Sequence, residues 1–422
     1  MINKLKPKSE FSRNVLTLMT GTTIAQAIPI AISPILTRIY TPEDFGVFAL
    51  FIAITAILGT VANARYELAI MLPKKDEDAI NVFALGFIIT CLIFLILLIL
   101  AVIFNSYFTK LLDNDEISFW LYFVPITVFF SGLFNILNYF NNRKKNYKDL
   151  RNATILKSIV LAIVQLSVGF VKTGASGLIS GSIISNMFAN MKLARNILKD
   201  KILISKIKKV KVVALAKKYK DFPKYLVLAH GINSLSGQSH IILFSSFFNA
   251  SVVGYLSFAQ KLLGMPMSLI ARSIGDVFRQ EATVHYNKNK ECINIYKSTF
   301  KKLFIISILP FTILFFLAPA IFSIIFGESW RVAGEYAQVL IPMYFLQFLT
   351  SPLSNMYMIA EKQKLDLYWQ IYLLISVVSS ILIGYFIFND SYISIVLFTA
   401  SYSIAYFINA IFTYNFAKGK IK

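Results

Sequence analysis

The segment Lys199–Lys224, KDKILISKIKKVKVVALAKKYKDFPK, decides how the chain is read. It carries ten lysines against two acids, Asp200 and Asp221, and leaves 198 residues on either side. Each side is a succession of long apolar runs broken by short polar loops. The segment therefore reads as a basic cytoplasmic linker (199–224) joining two membrane-embedded halves, residues 1–198 and 225–422. Within it Leu203, Ile207, Val210 and Ala214 recur at spacings of four, three and four, with lysines on the other side. Two readings stand: an amphipathic helix lying on the anionic inner leaflet, or a solvated connector.

Composition supports the membrane reading. Of 422 residues, 57% are hydrophobic and 15% charged, and the mean hydropathy is +0.65. The apolar runs are about 20 residues long, the length of a helix that crosses a hydrocarbon core of about 30 Å. A net charge of +21 raises nucleic-acid binding as a function. The distribution of that charge argues against it. Of 42 Lys/Arg, Arg38, Lys110, Lys172 and Arg331 fall in outer loops, Lys157 and Lys261 fall inside apolar runs, and the others belong to cytoplasmic segments. That is the positive-inside asymmetry, and it places both termini in the cytoplasm.

The expected fold class is an all-α polytopic membrane protein with about twelve transmembrane helices in two six-helix lobes. Hydropathy places spans near 14–36, 45–72, 79–104, 118–141, 152–171 and 174–195, then 225–248, 252–272, 303–326, 333–360, 367–388 and 391–416. The basic start (Lys4, Lys6, Lys8, Arg13) before Ala25-Gln26-Ala27 looks like a signal peptide, but the run is long and many more follow, so it reads as an uncleaved first helix. Cys91 lies in an apolar run and Cys292 in a cytoplasmic loop, so no structural disulfide is expected. The halves share a faint repeat. Phe11-Ser12-Arg13 corresponds to Phe222-Pro223-Lys224, Phe45-Gly46-Val47 to Val253-Gly254-Tyr255, and Tyr139 and Lys144 to Tyr357 and Lys362. Parallel six-helix repeats of this kind enclose a central cavity and alternate access by rocking.

Ionisable groups within spans are the first candidates for function, because each costs about 3 kcal/mol at mid-bilayer unless it faces water or a partner. Lys261, seven residues beyond Gly254, lies about 10 Å below the outer surface and either lines a cavity or snorkels. Lys157, six residues past Arg151, is about 9 Å from the inner face, where snorkelling is the default. Arg65 and Glu67 close a stretch, Phe45 to Leu72, that would run about 42 Å as one helix. They form either a charged pair at the inner mouth of a cavity or an ordinary interfacial pair. His230 and His240 share the seventh span with Asn233 and Gln238; a proton relay and a packed structural role both account for them. Gln26, Asn63, Asn135, Asn138, Gln165, Asn186, Asn190 and Gln347 add hydrogen-bonding capacity suited to a sugar, or to interhelical bonds.

The chain resembles the oligosaccharide repeat-unit flippases (Wzx-type polysaccharide transporters) of the superfamily that includes the multidrug and toxin extruders. The resemblance rests on Pro34-Ile35-Leu36-Thr37-Arg38 with Thr41-Pro42-Glu43-Asp44-Phe45-Gly46, on Arg65 to Pro73, and on Val253-Gly254-Tyr255 leading to Gln260-Lys261. Phe278-Arg279-Gln280-Glu281-Ala282, Phe326-Gly327-Glu328-Ser329-Trp330 and Glu361-Lys362-Gln363-Lys364-Leu365-Asp366 complete it. It implies a MATE-like fold with a cavity open alternately to each side of a bacterial plasma (inner) membrane. The implied substrate is an undecaprenyl-pyrophosphate-type lipid-linked oligosaccharide moved outward for O-antigen or capsule assembly. Membrane lipids, with the polysaccharide polymerase and chain-length machinery, are the implied partners. Lys261, Arg65 and Lys157 would then supply the cationic lumen, and Glu67, His230 and His240 are the candidates for ion coupling.

Neither a Walker A sequence nor a zinc-ligand spacing nor a nucleophile elbow occurs, so the expectation is no enzyme, no catalytic residue, no metal and no cofactor. An exporter of small amphipathic molecules would show a lumen carboxylate for cationic substrates. A polymerase would need a large outer loop with catalytic Arg or His. A non-transport scaffold of the assembly machinery would tolerate neutralisation of Lys261.

Overall fold

The computed structural model describes residues 10–265 and 270–419; Lys4, Lys6 and Lys8 lie outside the described residues. No strand occurs among them. The chain runs α1 (Glu10–Ala31), α2 (Ser33–Ile39), α3 (Pro42–Gly59), α4 (Tyr66–Ala69), α5 (Asp76–Leu111), α6 (Ile117–Leu121), α7 (Val124–Arg143), α8 (Tyr147–Gly169) and α9 (Ser176–Leu198). The linker holds α10 (Lys201–Ile204) and α11 (Lys209–Lys218). A π-helical turn, Phe222–Leu226, leads into α12 (Val227–Phe247), followed by α13 (Ala250–Leu263), α14 (Arg272–Asn289), α15 (Ile293–Phe326), α16 (Arg331–Thr350), α17 (Met356–Ile359), α18 (Gln363–Ile383) and α19 (Ser391–Ala417).

Grouped across their breaks, and leaving aside α10, α11 and α14, the described segments make twelve rods near the twelve expected positions. Seven of them, among the described residues, are long and apolar enough to cross a membrane by length and composition alone. The others are shorter or carry more polar residues, as α7 does with Asn135, Asn138, Asn141 and Asn142. The longest helices overrun the bilayer. α5 has 36 residues and α15 has 34, lengths of about 54 and 51 Å against a hydrocarbon core of about 30 Å, and α5 opens on the acidic turn Asp76, Glu77 and Asp78. The stretch between the eighth and ninth spans is not a loop. It is α14, whose Phe278 and Ala282 pack with Tyr296, Met356 and Phe416.

The chain divides into two compact units, Met1–Ile242 and Leu243–Lys422. The division falls inside α12, whereas the charge symmetry sets it at 199–224. The linker belongs to the first unit because its own side chains pack there. Leu203, Val212, Leu215 and Tyr219 join a core with Tyr66, Ile80, Leu137, Phe140 and Leu193. Asn81 clamps the turn between the two linker helices, donating to Lys206 O and accepting from the Lys208 amide. Of the expected apolar stripe, Leu203 is buried and Ile207, Val210 and Ala214 face outward.

Several family-like motifs are helix punctuation. Thr41 and Asp44 form a reciprocal capping box at the start of α3, with Pro42 in its first turn. Gly327, at φ 105°, takes the chain out of α15 in a conformation that strains any side chain. The turn it makes buries Trp330 against Phe258, ring centroids 4.6 Å apart, and against Tyr255. Lys145 after α7 and Glu361 after α17 are both left-handed, with φ 58° and 57°, two residues out of the register that pairs Lys144 with Lys362.

Candidate functional site

The stretch from Phe45 to Leu72 is broken, and the break builds a site. α3 is 18 residues long, about 27 Å. Ala64 and Arg65 then follow in the left-handed region, with φ 47° and 62°, before α4 resumes. For non-glycine residues such backbone costs on the order of 1 kcal/mol or more each, and persists only where its surroundings impose it. Asn63 supplies part of that constraint: its amide donates to Thr90 Oγ1 at 2.7 Å and to Gly132 O at 3.1 Å. A Cβ at Gly132 would lie 2.9 Å from both Ala62 Cβ and Thr90 Cγ2, so only glycine lets α7 come this close to the break.

A cavity of about 400 Å³ opens beside the break, entirely within the first unit. Its lining includes Arg65 and Lys157 together with Thr55, Thr60, Thr127, Ser131, Asn135, Ser182 and Asn186. Arg65 Nη1 donates to Glu67 Oε1 at 3.1 Å, and the Glu67 side chain is only 2% exposed. Arg65 Nε and Glu67 Oε2 are buried with no hydrogen-bond partner among the described residues. The pair is therefore half satisfied, which leaves hydrogen-bonding capacity for another ligand. Lys157 is turned to the same cavity. Its Nζ stands 5.1 Å from the centroid of the Phe134 ring, a cation–π contact, and the side chain lines the cavity.

Asn135 and Asn186 belong to the cavity wall. Asn63, Gln165 and Asn190 hold helices together, the last two by donating to Leu178 O and Phe130 O. The hydroxyl residues Thr55, Thr60, Thr127, Ser131 and Ser182 escaped the sequence reading, although Thr127, Ser131 and Asn135 recur every four residues along α7 and mark one helical face.

The other candidates lie elsewhere. Lys261 is near the end of α13 in the second unit, exposed and without an ion pair among the described residues. His230 is exposed and His240 buried, both on α12. Ten residues separate them, about 15 Å along the axis, too far for direct proton transfer. No group of three or more potential metal ligands occurs among the described residues.

Residues 35–335 match a family described as polysaccharide biosynthesis protein. No characterised protein sequence matches the chain significantly. Among solved structures, the lipid II flippase MurJ in an inward closed conformation superposes with a TM-score of 0.71 at 14% identity, over 96% of this chain and 90% of that one. The MATE multidrug transporter DinF-BH gives 0.65 at 14% identity, over 96% and 95%. A MOP superfamily transporter from Pyrococcus furiosus, described as having a binding pocket of reverse polarity, gives 0.61 at 14% identity, over 97% and 96%. The fold is that of the MATE and MurJ transporters.

Proposed function

We propose, from the premise that the chain belongs to the family of polysaccharide biosynthesis proteins, that this multi-pass membrane protein is a flippase. It carries polyprenyl-pyrophosphate-linked oligosaccharide repeat units from the inner to the outer leaflet of a bacterial plasma membrane, for O-antigen, capsule or a related polysaccharide. The observation that supports this reading is the joint placement of Arg65 and Lys157 on one cavity walled by hydroxyls and amides. A pyrophosphate leaving water needs cationic partners in a medium of low dielectric, and a guanidinium binds phosphate oxygens in a bidentate fork. Hydroxyl and amide side chains then offer replaceable hydrogen bonds to the first sugars while the lipid tail stays in the bilayer.

Glu67 holds the Arg65 guanidinium until an anion competes for it. A proton taken up by Glu67 as Arg65 passes to the pyrophosphate would tie the cycle to a proton gradient. No covalent step is part of this function. A small cationic drug, the substrate of an exporter, would instead meet two positive side chains and a carboxylate already engaged by Arg65.

Liposomes holding a fluorescent polyprenyl-pyrophosphate oligosaccharide give the test, read as the fraction reaching the opposite leaflet. Wild type moves the lipid, and Lys157→Met and Arg65→Lys variants of normal thermal stability move it more slowly. A folded preparation that moves no lipid, with or without an ion gradient, overturns the reading.

A further inference from the structure

The linker helix α11 has two apolar faces, and only one is occupied. Val212, Leu215 and Tyr219 pack into the first unit. At 100° per residue, Val210, Val213 and Ala214 fall half a turn away, and all three are exposed, Val210 to 81%. Lys209 and Lys218 flank this outer stripe on its two sides and Lys217 stands within it; all three are exposed. The approach to α11 is alike, with Ile202 78% exposed between Lys199 and Lys201 on one side and Lys206 on the other. A helix that served only as a solvated connector would carry polar residues on this face.

We propose that the outer stripe of α11 is a binding surface for anionic phospholipid headgroups of the leaflet in which the protein sits. The apolar stripe enters the boundary between headgroups and acyl chains while the flanking lysines reach phosphate oxygens, an arrangement that fits an interfacial helix. Charge complementarity selects this occupant: the segment 199–224 carries ten lysines against two acids. The linker also grips the first turn of α5, where Lys211 of α11 pairs with Glu77 at 3.3 Å and Asp78 at 3.6 Å, and Lys206 of the preceding turn pairs with Glu77 at 3.4 Å. Leaflet charge is thereby coupled to the cytoplasmic end of α5.

The test uses the full chain with Val210→Cys, labelled with an environment-sensitive fluorophore. Wild type, with Cys91 and Cys292, sets the background labelling. The protein is reconstituted into phosphatidylcholine with or without phosphatidylglycerol, each carrying acyl chains brominated near the headgroup. With phosphatidylglycerol present, the label is quenched. Quenching falls to about half or less at high salt, or when Lys209, Lys217 and Lys218 are changed to Gln. A label that stays unquenched in the anionic membrane shows a face turned to water and overturns the proposal. Equal quenching in both membranes, insensitive to salt, overturns the anionic recognition by showing apolar contact alone.

Discussion

The two units use charge in opposite ways. In the first, apart from the local Arg65–Glu67 pair at the cavity, ion pairs join segments far apart in sequence: Arg143 and Lys144 to Asp76, Lys192 to Asp149, Lys206 and Lys211 to Glu77. In the second, the ion pairs among the described residues are local, Arg279 with Asp276 and Arg331 with Glu328 and Glu335. Packing in the second unit is carried by aromatic rings, such as Trp330 on Phe258 and the chain Trp369, Tyr406, Tyr402 and Phe398. A repeat that preserves helix order therefore does not preserve chemistry. The unit that holds the cationic cavity is also the one whose segments are fastened by charge.

The sharpest way to break this contrast is Arg65→Ala. It leaves Glu67 buried without its cation, which is expected to cost about 3–5 kcal/mol of stability. Transport is expected to fall at least about thirtyfold, the equivalent of about 2 kcal/mol of substrate interaction. Thermal unfolding in detergent separates the two effects. Adding Glu67→Ala to Arg65→Ala restores most of the melting temperature while transport stays low. Recovery of transport in the double variant would show that Arg65 serves folding alone. Lys157→Met comes next, with transport lowered about tenfold and stability nearly unchanged. Methionine still fills the space over Phe134, and the cation–π attraction it gives up is worth about 1 kcal/mol.

How far these positions were legible in the sequence depends on what kind of information they carry. Hydropathy is one-dimensional, so about twelve rods were readable from composition along the chain. The site is only half one-dimensional. Arg65 and Lys157 were conspicuous as charges in apolar runs, but their meeting depends on the break at Ala64 and Arg65, and neither residue type advertises a left-handed backbone. The linker stripe shows the same limit: Leu203 and Ile207 are four apart, yet the turn at Lys206 and Lys208 resets the helical register, so Leu203 is buried and Ile207 exposed. The hydroxyls of the cavity wall were invisible because Ser and Thr in an apolar helix more often bond their own backbone, as Thr127 does to Phe123 O while also lining the cavity.

Lys261→Ala measures the second unit's share. Lys261 is exposed on α13 and pairs with no acid among the described residues, so neither stability nor a cavity of the first unit depends on it. Transport within about threefold of wild type is expected, since Lys261 is not part of the wall of the cavity that holds Arg65 and Lys157. A fall as deep as that of Arg65→Ala, measured in the same liposomes, would remove the asymmetry and make the substrate site a joint property of both units.

The smallest effect concerns the fastening of the first unit at the start of α5. Asp76 opens α5 ahead of the span read at 79–104, and a hydrogen bond from Lys144, then one from Arg143, holds its carboxyl below the ordinary value. The ordinary value for Asp is about 3.9, so the ionised and paired form is complete above about pH 4. Its contribution is lost as the pH falls through the lower folded value. The side chain is 45% exposed, and screening by water keeps the contribution to about 0.5 kcal/mol. Asp76→Asn is accordingly expected to lower the melting temperature slightly at pH 7, with the difference from wild type shrinking at low pH and in high salt. The matching change in the second unit, Asp276→Asn, removes only a local partner of Arg279 at 3.6 Å and is expected to leave the melting temperature unchanged. Equal shifts from the two variants would show that local and long-range pairs fasten these units alike.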